Sequence, residues 1–207
     1  MGAPKKEKDM KYLKMLGLAA IAAAALMAFV GAGTASATQL TGAEGAILGE
    51  GTEIKAAAEG TTELHPPIGS INCKNSTVAG KVTKAGSSTE TVKGDIETLT
   101  FTECNATVTV LQKGSLEVHA SGSSNGTLTS TGAQVTVNYI GFHCIFSTNN
   151  TDLGTITGSA NTASGKATLD IAATIPRTGG GSGAFCGTTA QWTGSYEVSE
   201  PATLNIH

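Results

Sequence analysis

The chain has 207 residues, 16 acidic against 13 basic, and only 4% of them are aromatic. Five basic and two acidic residues fall in the first 37, which leaves 8 basic against 14 acidic side chains, a net charge of −6, in the rest. With Arg177 as the sole arginine and no Lys/Arg cluster to displace counterions from phosphate, the composition argues against nucleic-acid binding.

The N-terminal 37 residues have the three parts of an export signal. Lys5, Lys6, Lys8, Lys11 and Lys14 form a positive region, residues 15–30 an apolar, alanine-rich run, and Ala35-Ser36-Ala37 a small-x-small cleavage site. Cleavage after Ala37 places the mature start at Thr38. The apolar run is shorter than the ~20 residues of a membrane span. There is no twin arginine, no Cys follows the site, and the last residues, 202–207, are not a hydrophobic anchor. The expectation is general secretion of a product that is released or loosely held at the envelope, with no membrane segment after cleavage. Met10 opens a second, more compact start, so translation from Met1 or from Met10 both fit.

Residues 38–51 are small, Gly-rich and weakly patterned, and read as a flexible lead-in; 52–207 read as one domain. Thirty threonines follow residue 37. Threonine suits a pleated, half-solvated surface. Period-two alternation, the mark of a strand with one buried face, puts Leu116, Val118 and Ala120 on one side. It does the same for Val135, Val137 and Tyr139, for Leu169, Ile171, Ala173 and Ile175, and for Trp192, Tyr196 and Val198. Further strands are expected at 53–58, 76–83, 92–102, 106–112, 126–130 and 153–158. About ten short strands with frequent turns predict an all-β antiparallel sandwich of jelly-roll or Greek-key type, with a β-barrel as the second candidate.

Cys73, Cys104, Cys144 and Cys186 are even in number in an exported chain, which predicts two disulfides. Pairing of sequence neighbours, Cys73 with Cys104 and Cys144 with Cys186, is favoured among the three possible connectivities. No Cys-x-x-Cys spacing suggests zinc.

The chemistry-bearing residues are few. Gly122-Ser123-Ser124-Asn125-Gly126 matches the G-x-S-x-G of hydrolases, but a second Gly/Thr-rich strand follows where the elbow needs a helix, so a solvated hairpin is expected. His65 precedes Pro66-Pro67 in a loop, His119 sits on a wet strand face, and His143 adjoins Cys144. Glu97 and Glu103 share a strand parity with Leu99 and Phe101 but lie about 20 Å apart, too far for a glycosidase pair. Trp192 is expected in the core rather than on a carbohydrate platform. No catalytic, metal or cofactor site is predicted.

The leader segment 14–20, Gly51-Thr52-Glu53-Ile54-Lys55-Ala56, Leu99-Thr100-Phe101-Thr102-Glu103-Cys104 and Thr151-Asp152-Leu153-Gly154-Thr155 resemble a group of uncharacterised secreted proteins of high-GC soil actinobacteria. The resemblance implies export and carries no catalytic residue. The function expected is therefore a non-enzymatic secreted or envelope-associated β-domain that acts by surface contact, with an extracellular polysaccharide or envelope component as partner, or by a structural role. A lipocalin-like carrier of a small apolar ligand is the runner-up, and a secreted hydrolase of unrecognised type the third.

Overall fold

A computed structural model describes residues 38–207 apart from Ile68 and Ser182. The expected export signal, with Ala35 and Ala37 of its cleavage site, lies outside the described residues.

Long strands rich in Val, Ile and Thr, with turn residues between them, build a meander in which each strand bonds the next. β2 (Glu53–Ala58) and β3 (Thr62–His65) run in line, interrupted at Glu59, Gly60 and Thr61, and serve as one stave. Around the ring follow β4 (Ile71–Lys84), β5 (Val92–Cys104), β7 (Ser115–Gly122) and β8 (Asn125–Thr131). β11 (Thr151–Thr157), β12 (Thr168–Gly180) and β13 (Thr189–Glu200) complete it. β13 bonds back to β2, Tyr196 opposite Ala58, and the sheet closes into an eight-stave antiparallel barrel.

The sandwich expectation is corrected to its second candidate. Alternation inside and outside is identical for a sandwich face and a barrel wall, so it does not discriminate between them. What closes this sheet is strand length and bending: β4, β5, β12 and β13 run 12 to 14 residues, about twice the usual strand. Bulges bend them. At one, between Ala79 and Gly80, a Cβ on Gly80 would lie 2.3 Å from the carbonyl oxygen of Asp95, so only glycine fits.

Three strands stand outside the ring. β6 (Thr107–Gln112), β9 (Gln134–Tyr139) and β10 (Phe142–Ser147) form a small sheet, and β10 pairs with the far end of β12, Cys144 opposite Gly180. This sheet caps one end of the barrel. Two disulfides lie at this end, one of them in a cap strand. Cys73–Cys104 joins directly opposed residues of β4 and β5 where the chain leaves for β6, with Cα atoms 3.9 Å apart. Cys144–Cys186 ties β10 to a single helical turn, Gly183–Cys186, between β12 and β13. Both are the neighbour pairings expected from the sequence, and disulfides of this kind persist in oxidising compartments.

The opposite end is closed where the two ends of the described segment meet. β1 (Leu40–Thr41) pairs with β14 (Asn205–Ile206), and Leu40, Leu204 and Ile206 are all but inaccessible. The Ala120 N–H donates to the Thr38 hydroxyl at 3.0 Å. In the segment read as a lead-in, Thr38, Leu40 and Thr41 are buried. Small, Gly-rich composition hid this, because Leu40 has no apolar neighbours in strand period.

Candidate ligand-binding interior

The barrel interior is built by the inward face of every stave. Val82, Val92, Val118, Leu128, Ile156, Leu169, Ile171, Ala173, Ile175, Tyr196 and Val198 are buried there, as the alternation in β7, β12 and β13 predicts. β5 departs from its sequence phase. Thr98 pairs with Ala79 and Ile96 with Gly80, so Glu97 is the extra residue of a bulge. Ile96 therefore faces inward before it, and Leu99 and Phe101 after it. Glu97 instead reaches Lys81 at 2.9 Å on the outside, and Glu103 bonds Asn75 at 2.8 Å. One parity in the sequence spans two faces of the sheet.

These side chains do not fill the space. Three cavities lie in series. The first, about 80 Å³, rests on the floor made by Leu40 and Leu204. The second, about 50 Å³, shares Leu116, Leu128 and Leu169 with the first. The third, about 60 Å³, shares Leu99, Ala133, Thr148 and Trp192 with the second and is roofed by Val108, Val135, Val137 and Phe146 of the cap. Each exceeds several-fold the roughly 10–15 Å³ that one water needs. Apolar linings offer water few partners, and such cavities stay dry and accept apolar guests. Voids of this size cost about 1–2 kcal/mol each.

The polar groups along this interior are mostly satisfied. The Tyr196 hydroxyl and Ser76 Oγ lie 2.9 Å apart, and Ser130 Oγ lies 3.0 Å from Thr148 Oγ1. Glu63, at the edge of the third cavity, is engaged with His65 Nε2 at 2.9 Å. Trp192, expected in the core, is half-buried and packs against the core, edge-on to Phe101 and Tyr196 with centroids 6.0 and 6.4 Å away. Its Nε1 is sealed from solvent and has no hydrogen-bond partner.

The structure scatters the other chemistry-bearing residues. Ser124 sits at the β7–β8 hairpin expected of the G-x-S-x-G match, but it is not solvated: it is 4% exposed and donates to Asn205 Oδ1 at 2.6 Å. The C-terminal strand folds over the hairpin, a contact no local pattern announces. His65 lies at the end of β3, hydrogen-bonded to Ser70 and Glu63, rather than in a loop. His119 lies 3.7 Å from Glu117, and His143 Nδ1 lies 2.8 Å from Asn138 Oδ1. Among the described residues no three metal-type side chains converge.

Sequence reasoning missed one strand of the roof, β10. Phe142, Cys144 and Phe146 alternate in β10, and Phe146 is fully buried; that alternation was the signal. Comparison with protein-family models, with curated proteins and with solved structures finds no match.

Proposed function

We propose that this is a secreted, non-enzymatic carrier whose barrel interior holds a slender, apolar small molecule. One observation carries the reading: three apolar cavities run end to end through a closed eight-stave barrel. Eight staves leave an interior just wide enough for side chains or for one small ligand. Here small and β-branched side chains line the wall and leave the remainder open, at a cost in packing that a bound guest would offset. The segmented shape favours a narrow chain over a bulky ring system. The two disulfides support an oxidising, extracytoplasmic setting.

Calorimetric titration of the oxidised protein with linear hydrocarbons of rising length tests this. The expected result is saturable 1:1 binding with a negative heat-capacity change. Affinity should grow about fourfold per added methylene and then stop growing when the interior is full. No saturable binding across the series would overturn the reading.

One observation favours a second reading, surface contact with an extracellular polysaccharide or envelope component. Phe142 and Phe185 stack with centroids 4.0 Å apart, Phe185 is 46% exposed, and Ile140 nearby at the β9–β10 turn is 73% exposed. Retention on insoluble cell-wall polysaccharide that Phe185→Ala abolishes would favour it.

A further inference from the structure

One seam in the wall is not closed by hydrogen bonds. Around the cap half of the molecule the staves run β3, β4, β5, then β6, β9, β10, β12 and β13. Among the described residues every neighbouring pair in this ring is bonded except β5 and β6. β7 bonds β5 only as far as Asp95 opposite Ser115, so beyond it one edge of β5 is bare. β6 follows after a two-residue link, Asn105-Ala106, and pairs only with β9.

The slot so formed is bounded at both ends. At one end the link joins the two strands beside the Cys73–Cys104 disulfide. At the other the Ile96 N–H donates to the Gly114 carbonyl at 3.0 Å. Gly114 sits so tightly there that a Cβ would meet the Ala133 nitrogen at 2.3 Å.

Both lips reach the third cavity. Leu99 and Phe101 of β5 and Val108 of β6 line it and are half-buried, whereas Ile175 and Phe146, which line it from β12 and β10, are buried. The exposed positions along the lips are uncharged threonines, among them Thr100, Thr102, Thr107 and Thr109. The carboxylates of Glu97 and Glu103 are engaged with Lys81 and Asn75 of β4. β6 carries neither the charge nor the proline that usually guards a free edge. The other exits are shut: Leu40, Leu204 and Ile206 in the floor and Val137 and Phe146 in the roof are at most 1% exposed.

We infer that the apolar guest enters and leaves sideways, through the slot between β5 and β6, past Leu99, Phe101 and Val108. This rests on the carrier reading and deepens it. An apolar chain crosses there without breaking a ladder hydrogen bond or stranding an ion pair. Entry between any other pair of staves would break a ladder, and entry through floor or roof would unpack the core.

The test bridges the lips. Thr102→Cys and Thr109→Cys are introduced together, and the folded, oxidised full chain is treated with a short bifunctional maleimide; a monofunctional maleimide gives the unbridged control. The guest is a linear bromoalkane, whose bromine quenches the single Trp, a residue that lines the third cavity, so stopped-flow fluorescence follows its arrival and departure. The bridge should slow association and dissociation by the same factor, about tenfold or more, and leave Kd unchanged, because a gate alters both rates and not the bound state. Val108→Ala, which trims one lip, should move the association rate the other way. Rates untouched by both changes would overturn the inference and leave the carrier standing, as would a bridge that alters Kd through dissociation alone. Absence of saturable quenching in the unsubstituted protein would remove the two together.

Discussion

Tyr196 shows how a single buried polar group ties the barrel to pH. Desolvation pushes its hydroxyl pKa up to about 12, and hydrogen bonding to Ser76 only partly opposes this. The unfolded value is near 10, so the folded pKa is the higher one. The stabilisation this group provides is then complete below pH 10 and is lost as pH rises from about 10 to about 12, by roughly 2–3 kcal/mol. Tyr196→Phe should unfold more easily at pH 7, by about 1–2 kcal/mol, because Ser76 Oγ is left buried without a partner. It should also lose less stability between pH 10 and 12 than the parent. Denaturant midpoints across that range check both; parallel curves would contradict the burial argument. At the same scale Ser124 was legible as a hairpin residue and not as a buried one. Its backbone is left-handed (φ 61°), and its hydroxyl partner, Asn205, is 81 residues away.

Among the elements, the cap is held by packing of Phe146 and Val137 and by one staple of its own, Cys144–Cys186. β6 borders only β9, and β6 alternates between half-buried and exposed residues. The disulfides close loops with separations of 31 and 42 residues. In the chain-entropy model such loops contribute about 3.5–4 kcal/mol each, a large part of a usual 5–15 kcal/mol stability. Replacing Cys144 and Cys186 together by Ser should therefore lower the denaturant midpoint clearly. The effect on hydrogen exchange should be uneven, with faster exchange in β6, β9 and β10 and little change in β7, β8 and β11. Uniform acceleration through both groups of strands would show that the cap and barrel open as one unit instead.

For the whole molecule, closure is shared between β13–β2 pairing and the plug made where the two ends of the described chain meet. Leu40 is 1% exposed and lines the floor cavity with Leu204. Leu40→Ala should cost about 2–4 kcal/mol, whereas Ile47→Ala, at a position 59% exposed, should stay within about 0.5 kcal/mol. Chemical denaturation of the two variants side by side tests this, and equal small effects would mean that the plug is dispensable. An opened floor should also weaken hydrocarbon binding, since the first cavity would drain to solvent.

The sequence by itself determined most of the strands and their inward faces in β7, β12 and β13, and favoured the cysteine pairing without fixing it, because these depend on period-two alternation and on short separations along the chain. β3 and β10 escaped it: the first abuts Pro66-Pro67, and the second is a six-residue run whose alternation of Phe142, Cys144 and Phe146 is brief. The switch of face at Glu97 was beyond reach, since a bulge is set by the partner strand and leaves the composition of its own strand unchanged. Only the tertiary structure decided between sandwich and barrel, because the last stave must meet the first across more than 130 residues of chain. The candidate site was equally hidden. A cavity is space that no residue occupies, and it becomes visible only when every neighbour around it is in place.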